Sequence, residues 1–377
     1  NIYWLIVSRA IQGAGAGGFV PSATGIVADT FPESRQRYIG LLVSMVSVGV
    51  ALGPVVGGWL TYTFDWRFIF WSAIPLSALA LLAGAVLLKP DKEMQKAHLD
   101  IRGAGLLAVS LTTFMIGLTT IGRKGAGGSW TSGLGLLVLG CALMALFLRH
   151  ERRAKNPVID LELIRGRPFL GSNIYNVIFG AFLGALTFLP LYAVTVYNAS
   201  TVESGLVVTP KAIGMMVGSI GSSFMLLRWG YRKPMIVGTA LLMVGALVFG
   251  FEPRNTGVAG IALGGIAVML VGVAMSGLGH GISSPASNNA CIELMPDKVS
   301  TITGIRNACR HSGVALSIAI ASLVLDWSGD LARGFEFVFF GLAAVGLLAL
   351  PCILVMPRSP KDVPVNNARP VRRPLPD

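Results

Sequence analysis

Apolar residues run through this chain in long blocks, broken at intervals by short polar stretches. The pattern is neither the period of two of a half-buried strand nor the one-sided stripe of a surface helix. A helix needs about 20 largely apolar residues to cross a bilayer. Eleven blocks reach or approach that length: residues 2–28, 39–61, 68–88, 103–121, 133–148, 169–196, 204–227, 235–251, 258–284, 300–325 and 335–356. The fifth is the shortest. The expectation is an all-α integral membrane protein with about eleven transmembrane helices, followed by a Pro-rich, disordered tail over 358–377.

The polar stretches carry the orientation, because cytoplasmic loops are enriched in Lys and Arg. Taking alternate connections as one side collects Arg35, Arg37, Lys89, Lys92, Lys96, Arg102, Arg149, Arg152, Arg153, Lys155, Arg165 and Arg167. Arg228, Arg232, Lys233, Lys298, Arg358, Lys361, Arg369, Arg372 and Arg373 fall on the same side. The other connections hold only Arg67, Arg123, Lys124, Arg254 and Arg333. This asymmetry predicts a multi-pass plasma-membrane protein with a cytoplasmic C-terminus. Asn1 would then lie outside and already within an apolar block, which reads as a truncated start.

Composition fits a lipid-solvated chain: 53% of residues are hydrophobic, 13% are charged and the mean hydropathy is +0.69, against about 25% charged in soluble proteins. There are 47 glycines, well above the usual ~7%; in a bilayer such small residues let helix backbones approach closely. The net charge of +12 is spread through short loops, so membrane lipid and not nucleic acid is the expected partner. Cys141, Cys291, Cys309 and Cys352 have no C-x-x-C spacing and read as small hydrophobes.

Arg9 stands inside the first block, where a charge is costly enough to mark a pathway or a partner. Gln12 and Gly13 follow at i+3 and i+4 on the same face, and Gly15 completes the run. The alternative is an arginine snorkelling to the outer interface. In the second block Gly49, Gly53 and Gly57, with Gly58 beside them, form one stripe against which another helix can pack. Pro54 removes a backbone donor within that stripe and should kink the helix.

Near the start of the tenth block Arg306 and Arg310 lie four residues apart, with Asn307 and His311 beside them. Their repulsion calls for an anion, a carboxylate or water nearby, unless both snorkel to the interface. Lys211 either faces a pathway or lies near the outer surface, and His280 reads as packed. Asp29 and Glu293 read as hydrated groups at cytoplasmic helix ends. Asn198-Ala-Ser200 matches a glycosylation acceptor. The glycine run 122–128 lacks the order of a nucleotide loop, and H-E-x-x-H, paired metal-binding aspartates and G-x-S-x-G are all missing from the sequence. A transporter is expected, not an enzyme.

These residues resemble the major facilitator superfamily, in its fourteen-helix drug:proton antiporter branch. Arg9-x-x-Gln12-Gly13-x-Gly15 is similar to that family's fourth-helix motif, and Gly49 to Gly58 to its fifth-helix antiporter motif. Asp65-Trp66-Arg67-Phe68, continuing to Pro75, resembles the start of its sixth helix. Ser204-Gly205-Leu206 with Pro210, then Arg228-Trp229-Gly230-Tyr231-Arg232, resembles the start and cytoplasmic end of a helix in the C-terminal half. Gly304-Ile305-Arg306-Asn307 with Arg310 and Gly313 resembles the next-to-last helix.

The resemblance implies two six-helix bundles with two extra helices between them, the visible helices being the fourth to the fourteenth. Residues 1–88 would be a three-helix remnant of the first bundle, and 89–150 a cytoplasmic loop with two linking helices. Residues 151–357 would form the second bundle, and 358–377 the tail. It implies proton-driven export of drugs or other small amphipathic compounds by rocking of the bundles about a midplane site. Arg9, Gln12, Arg306 and Arg310 would line the proton or substrate pathway, while Gly49, Gly53, Pro54, Gly57 and Gly58 shape the bundle contact. No cofactor is expected, the proton gradient being the energy source; the partners would be substrate, protons and a periplasmic adaptor protein. The alternatives are a permease for one metabolite or siderophore and a membrane-embedded lipid-modifying enzyme. No block carries a carboxylate near its centre, so the coupling acid is expected in the three absent helices, and these 377 residues alone are expected not to transport.

Overall fold

The computed structural model of the protein describes residues 2–88, 100–121, 130–154, 166–251, 255–258, 261–294, 296 and 299–359. The tail from 360, the glycine run 122–128 and the basic stretch 89–99 lie outside these residues. The first helices are α1 (Ile2–Thr30), α2 (Arg35–Thr63), α3 (Phe68–Leu87), α4 (Ile101–Ile121) and α5 (Trp130–Glu151). The C-terminal half holds α6 (Arg167–Ala185), α7 (Leu189–Tyr197), α8 (Thr201–Leu206), α9 (Thr209–Trp229) and α10 (Arg232–Gly250). It closes with α11 (Gly265–Leu294), α12 (Val299–Ser328), α13 (Leu331–Leu347) and α14 (Ala349–Val355).

Nine helical stretches among the described residues are long and apolar enough to cross a membrane. With α1 and α2, each of 29 residues and so roughly 43 Å long, they follow the eleven predicted blocks. The block at 133–148 proves to be a 22-residue helix, α5. The ninth block needs correction. Helix α11 begins at Gly265, not near Val258, and the residues before it form an antiparallel pair, β1 (Asn255–Val258) with β2 (Ile261–Gly264). β-Branched Thr256, Val258 and Ile261 suit extended backbone, and the helix regains its length by running on to Leu294.

The sixth block is one span made of α6, a 3-10 turn at Leu186–Phe188 and α7. Pro190 has no N–H to donate to the Leu186 carbonyl, which the Leu189 N–H meets instead, and the Thr187 hydroxyl donates to the Gly184 carbonyl at 2.6 Å, so backbone groups at the break are met locally. The glycosylation-like tripeptide has a capping role. Asn198 ends α7 in the left-handed region at φ 52°, and Ser200 begins α8 in a reciprocal capping box with Glu203.

The C-terminal helices form the core. Helix α11 packs on α9 and α10, α6 on α12, and α10 on α13. At one end Tyr192, Phe249, Phe335 and Phe339 are fully buried together, and the Tyr192 hydroxyl donates to the Phe249 carbonyl at 2.8 Å. The glycine excess is spent at crossings. A Cβ on Gly180 would strike the Arg310 carbonyl, and one on Gly313 the Val177 carbonyl, so α6 and α12 touch at backbone distance. Helices α4 and α5 pair through Gly117, Gly133 and Gly140 in the same way.

Candidate functional site

Among the described residues, the contacts of helices α1 and α2 with the C-terminal helices gather at one end, the end that bears Arg35, Arg37, Arg228, Arg232 and Lys233. In α1, Gly25 abuts the Ser300 side chain of α12. In α2, the Ser44 hydroxyl lies 3.2 Å from both Ser219 and Ser223 of α9, and Gly40 lies against Ser223. Small hydroxyls and glycine bring two helices close while each polar atom finds a partner, as bilayer packing requires. One turn before this seam, the Arg35 guanidinium donates to Glu293 of α11 at 2.9 Å. The Tyr231 hydroxyl donates to the other Glu293 oxygen at 3.1 Å.

Glu293 is only 5% exposed. The expectation of a hydrated helix-end group is therefore corrected for this residue, because α2 covers it and supplies the counter-charge. Asp29, by contrast, is exposed. No local pattern points to the pair, whose members stand 258 residues apart; Arg35 reads simply as a loop charge.

Toward the opposite end the glycines of α1 and α2 face open space among the described residues. Gly13, Gly15, Gly49, Gly53 and Gly58 have nothing within 4 Å of an added Cβ, and Gly57 has only Ile69 at 4.0 Å. Pro54 lies within continuous helix α2. Arg9 is exposed, donates to Gln12 at 2.8 Å and sits over the Phe70 ring of α3 at 4.6 Å. The predicted sharing of a face by Arg9 and Gln12 is thus present, but no bond joins them to Arg306 or Arg310.

Those two arginines belong to a separate group inside the C-terminal helices. Arg306 is 3% exposed, which corrects the snorkelling alternative for this residue. Its Nη2 and Nη1 reach the Ser284 carbonyl and Asn307 only at 3.5 and 3.4 Å, and its Nε is buried without a partner. Arg310 Nε is likewise buried and unpartnered. Lys211, 8% exposed, and His280, 2% exposed, lie nearby; Lys211 and both arginines are close enough to act electrostatically on His280. The imidazole stacks on Phe179 at 3.9 Å, and neither ring nitrogen has a partner. The same holds for both polar atoms of Asn288 and for the hydroxyls of Thr239, Ser283 and Thr303.

Below this group α6 and α11 share a hydrogen-bonded seam. Ser287 donates to Asn176 at 3.2 Å, and Cys291 Sγ lies 2.7 Å from Ser172 and 3.6 Å from Asn176. Cys291 is therefore a member of a polar network, not a bare apolar filler. Its position could be read in the sequence, since Ser283, Ser287 and Cys291 recur every four residues on one face.

The Arg228-to-Arg232 motif has a structural role. Gly230 ends α9 at φ +69° and lies against the Arg358 carbonyl. The Tyr231 N–H donates to that carbonyl at 2.9 Å and Arg232 Nε to the Met356 carbonyl at 2.8 Å. Arg228 is exposed at the helix end.

Fold and contacts together define a multi-pass membrane protein in which an N-terminal helix group leans on a C-terminal bundle at one end. The sequence profile of the Major Facilitator Superfamily matches residues 1–258 and 255–377, and the chain belongs to that family. It is 29% identical over 334 residues to a multidrug resistance protein B homolog of Mycobacterium tuberculosis, covering 87% of this chain and 60% of the relative. It is 30% identical over 362 residues to the methylenomycin A resistance protein of Streptomyces coelicolor, covering 92% and 74%. Multidrug resistance protein 3 of Bacillus subtilis is 27% identical over 324 residues, covering 85% and 61%. The chain thus spans about three-fifths of the length of the first and last of these relatives.

Proposed function

We propose that this chain works in a secondary active transporter that exports drugs or other small amphipathic compounds in exchange for protons. The observation that carries the reading is the one-ended contact. A seam made of Ser44, Ser219 and Ser223, with the Arg35–Glu293 pair beneath it, closes one end, while Gly13, Gly15, Gly49, Gly53 and Gly58 have no described residue within 4 Å of an added Cβ toward the other. Alternating access needs a joint of this kind, small and polar enough to part and re-form. Family membership and the resistance-protein names of the relatives support export. The basic end is assigned to the cytoplasm by its Lys and Arg, so the arrangement is outward-facing. Arg9 and Gln12 are assigned to the proton pathway and the Gly49–Gly58 stripe to a packing face. A periplasmic adaptor is a further partner on this reading.

The test is a cross-link across the seam. In the whole transporter, Ser44→Cys with Ser219→Cys, joined by oxidation or a short bifunctional reagent, should abolish proton-dependent extrusion of a fluorescent drug from cells or vesicles, and reduction should restore it. Extrusion that continues at the uncrosslinked rate overturns the joint. Extrusion indifferent to collapse of the proton gradient overturns antiport. Extrusion of one compound that no other drug competes against marks a dedicated permease. With three helices restored ahead of α1, Arg9→Ala should insert normally yet lose most proton-driven extrusion, with Arg9→Lys recovering part of it; unchanged extrusion at matched abundance returns Arg9 to an interfacial anchor.

A further inference from the structure

The buried basic group of the C-terminal helices has a chemistry that the export reading does not use. Arg306, Arg310 and Lys211 converge around His280 with no carboxylate in ion-pairing distance among the described residues. Lys211 has no hydrogen-bond or ion-pair partner among these residues either, and both arginine Nε atoms are buried and unpartnered. A buried cation left without hydrogen bonds or counter-charge costs several kcal/mol. Here two guanidinium groups and an ammonium share one region, and Asn288, 1% exposed, adds an amide whose donor and acceptor are both free. Beyond the long contacts from Arg306 to Ser284 and Asn307, no described residue of α6, α9, α11 or α12 offers these charges a partner.

One edge of the group, at Arg310, also sits where a ligand could reach it. His280 falls at the middle of the 30-residue helix α11, and Lys211 lies at the same level, since its backbone abuts Gly277. On α12, Asn307 and Arg310 are half-buried, His311 is exposed, and Gly304 has nothing within 4 Å, so this face borders open space. Planar guanidinium forks suit an oxyanion, which they can grip with paired charge-assisted hydrogen bonds. Phe179 stacked on His280, with Tyr175 next to it, backs the group as a buried aromatic wall.

We infer that Arg306, Arg310 and Lys211 form a site for the carboxylate or other oxyanion of a small amphipathic ligand. The inference deepens the export reading by giving the substrate a negative charge, and its test is a binding measurement that needs no transport. The full chain, purified in a neutral detergent, is titrated with benzoate, with benzyl alcohol and with benzyltrimethylammonium while its thermal unfolding is followed. Benzoate should raise the midpoint by several degrees, and the neutral and cationic analogues should not. R310Q should weaken the apparent benzoate affinity at least tenfold, R306Q as much or more, and R310K less than R310Q because it keeps charge without the fork.

No response to benzoate, an equal response to benzyl alcohol, or an unchanged affinity in R310Q overturns the site. If R306Q does not fold, the half-buried Arg310 still carries the test. A second arm separates the source of the anion. The protein in nanodiscs of phosphatidylglycerol is compared with phosphatidylcholine: stabilisation by the anionic lipid with no benzoate response assigns the cluster to a headgroup and overturns the small-ligand site. Benzoate binding together with failed extrusion would leave this site standing and remove the export reading alone.

Discussion

Glu293 shows how far a single contact changes what a residue is worth. Read in the sequence it is a hydrated helix end; in the fold it is a buried carboxylate held by Arg35 and Tyr231. Removing one member of a buried pair strands the other, at a cost of about 3–5 kcal/mol. Arg35→Ala should therefore loosen the seam more than Glu293→Gln, since glutamine keeps an acceptor for Tyr231. A cysteine at Ser219 should become reactive toward a basic-side impermeant thiol reagent in Arg35→Ala and stay protected in the parent; protection in both would show that the pair does not hold the joint. The arginines on α12 were half legible. Their spacing announced an unmet charge, but only the packing of α11 shows that Arg306 turns inward. Long-range pairs such as Ser44 with Ser219 leave no local trace, because each partner reads as an ordinary small residue on its own helix.

At the scale of the element, length and apolarity were enough to place the helices, since in a bilayer every backbone group must bond within its own segment. What they could not show was where helix gives way to something else. Ile261–Gly264 lies within the apolar run but pairs as a strand with Asn255–Val258, and Asn198-Ala-Ser200 holds a helix stop and a helix start. The two kinds of glycine were equally indistinguishable by composition. Gly180→Leu should drive α6 from α12 and lower stability by about 1–3 kcal/mol, seen as an earlier thermal midpoint, because the Arg310 carbonyl occupies the space a side chain needs. Gly53→Leu in this chain should leave the midpoint unchanged, since nothing described stands within 4 Å. Equal losses for both would mean that the crossing distance is not what Gly180 protects.

The α4–α5 pair has a pH signature of its own. The Gly103 N–H, helped by His150 at 2.7 Å, holds the Asp100 carboxyl below its usual range. The sign follows: a depressed carboxylate stabilises the fold fully above its unfolded value, about 3.9, and that contribution is lost as pH falls through the lower folded value. Amide exchange at the Ile101 end of α4 should accelerate over that acid interval, and Asp100→Asn should remove the dependence. Exchange that accelerates identically in the variant would assign the effect to another group.

For the whole molecule, the Lys and Arg pattern predicts which connections share a side. Single cysteines beside Arg153 and beside Ser200 should label from opposite faces of the membrane; labelling of both from one face overturns the arrangement of spans. The architecture was legible because family motifs mark several helices at once, whereas the order in which the parts close was not. The turn after α9 is held by carbonyls at the far end of the chain, Arg232 reaching Met356 across 124 residues. During synthesis that turn enters the membrane well before its acceptors exist. Its N–H groups face water at the membrane surface until the last helix leaves the insertion machinery, and the late arrival of Met356 and Arg358 fastens it. Biogenesis of this bundle therefore ends with a latch, and a chain stopped just before Met356 would insert its helices yet never be fastened.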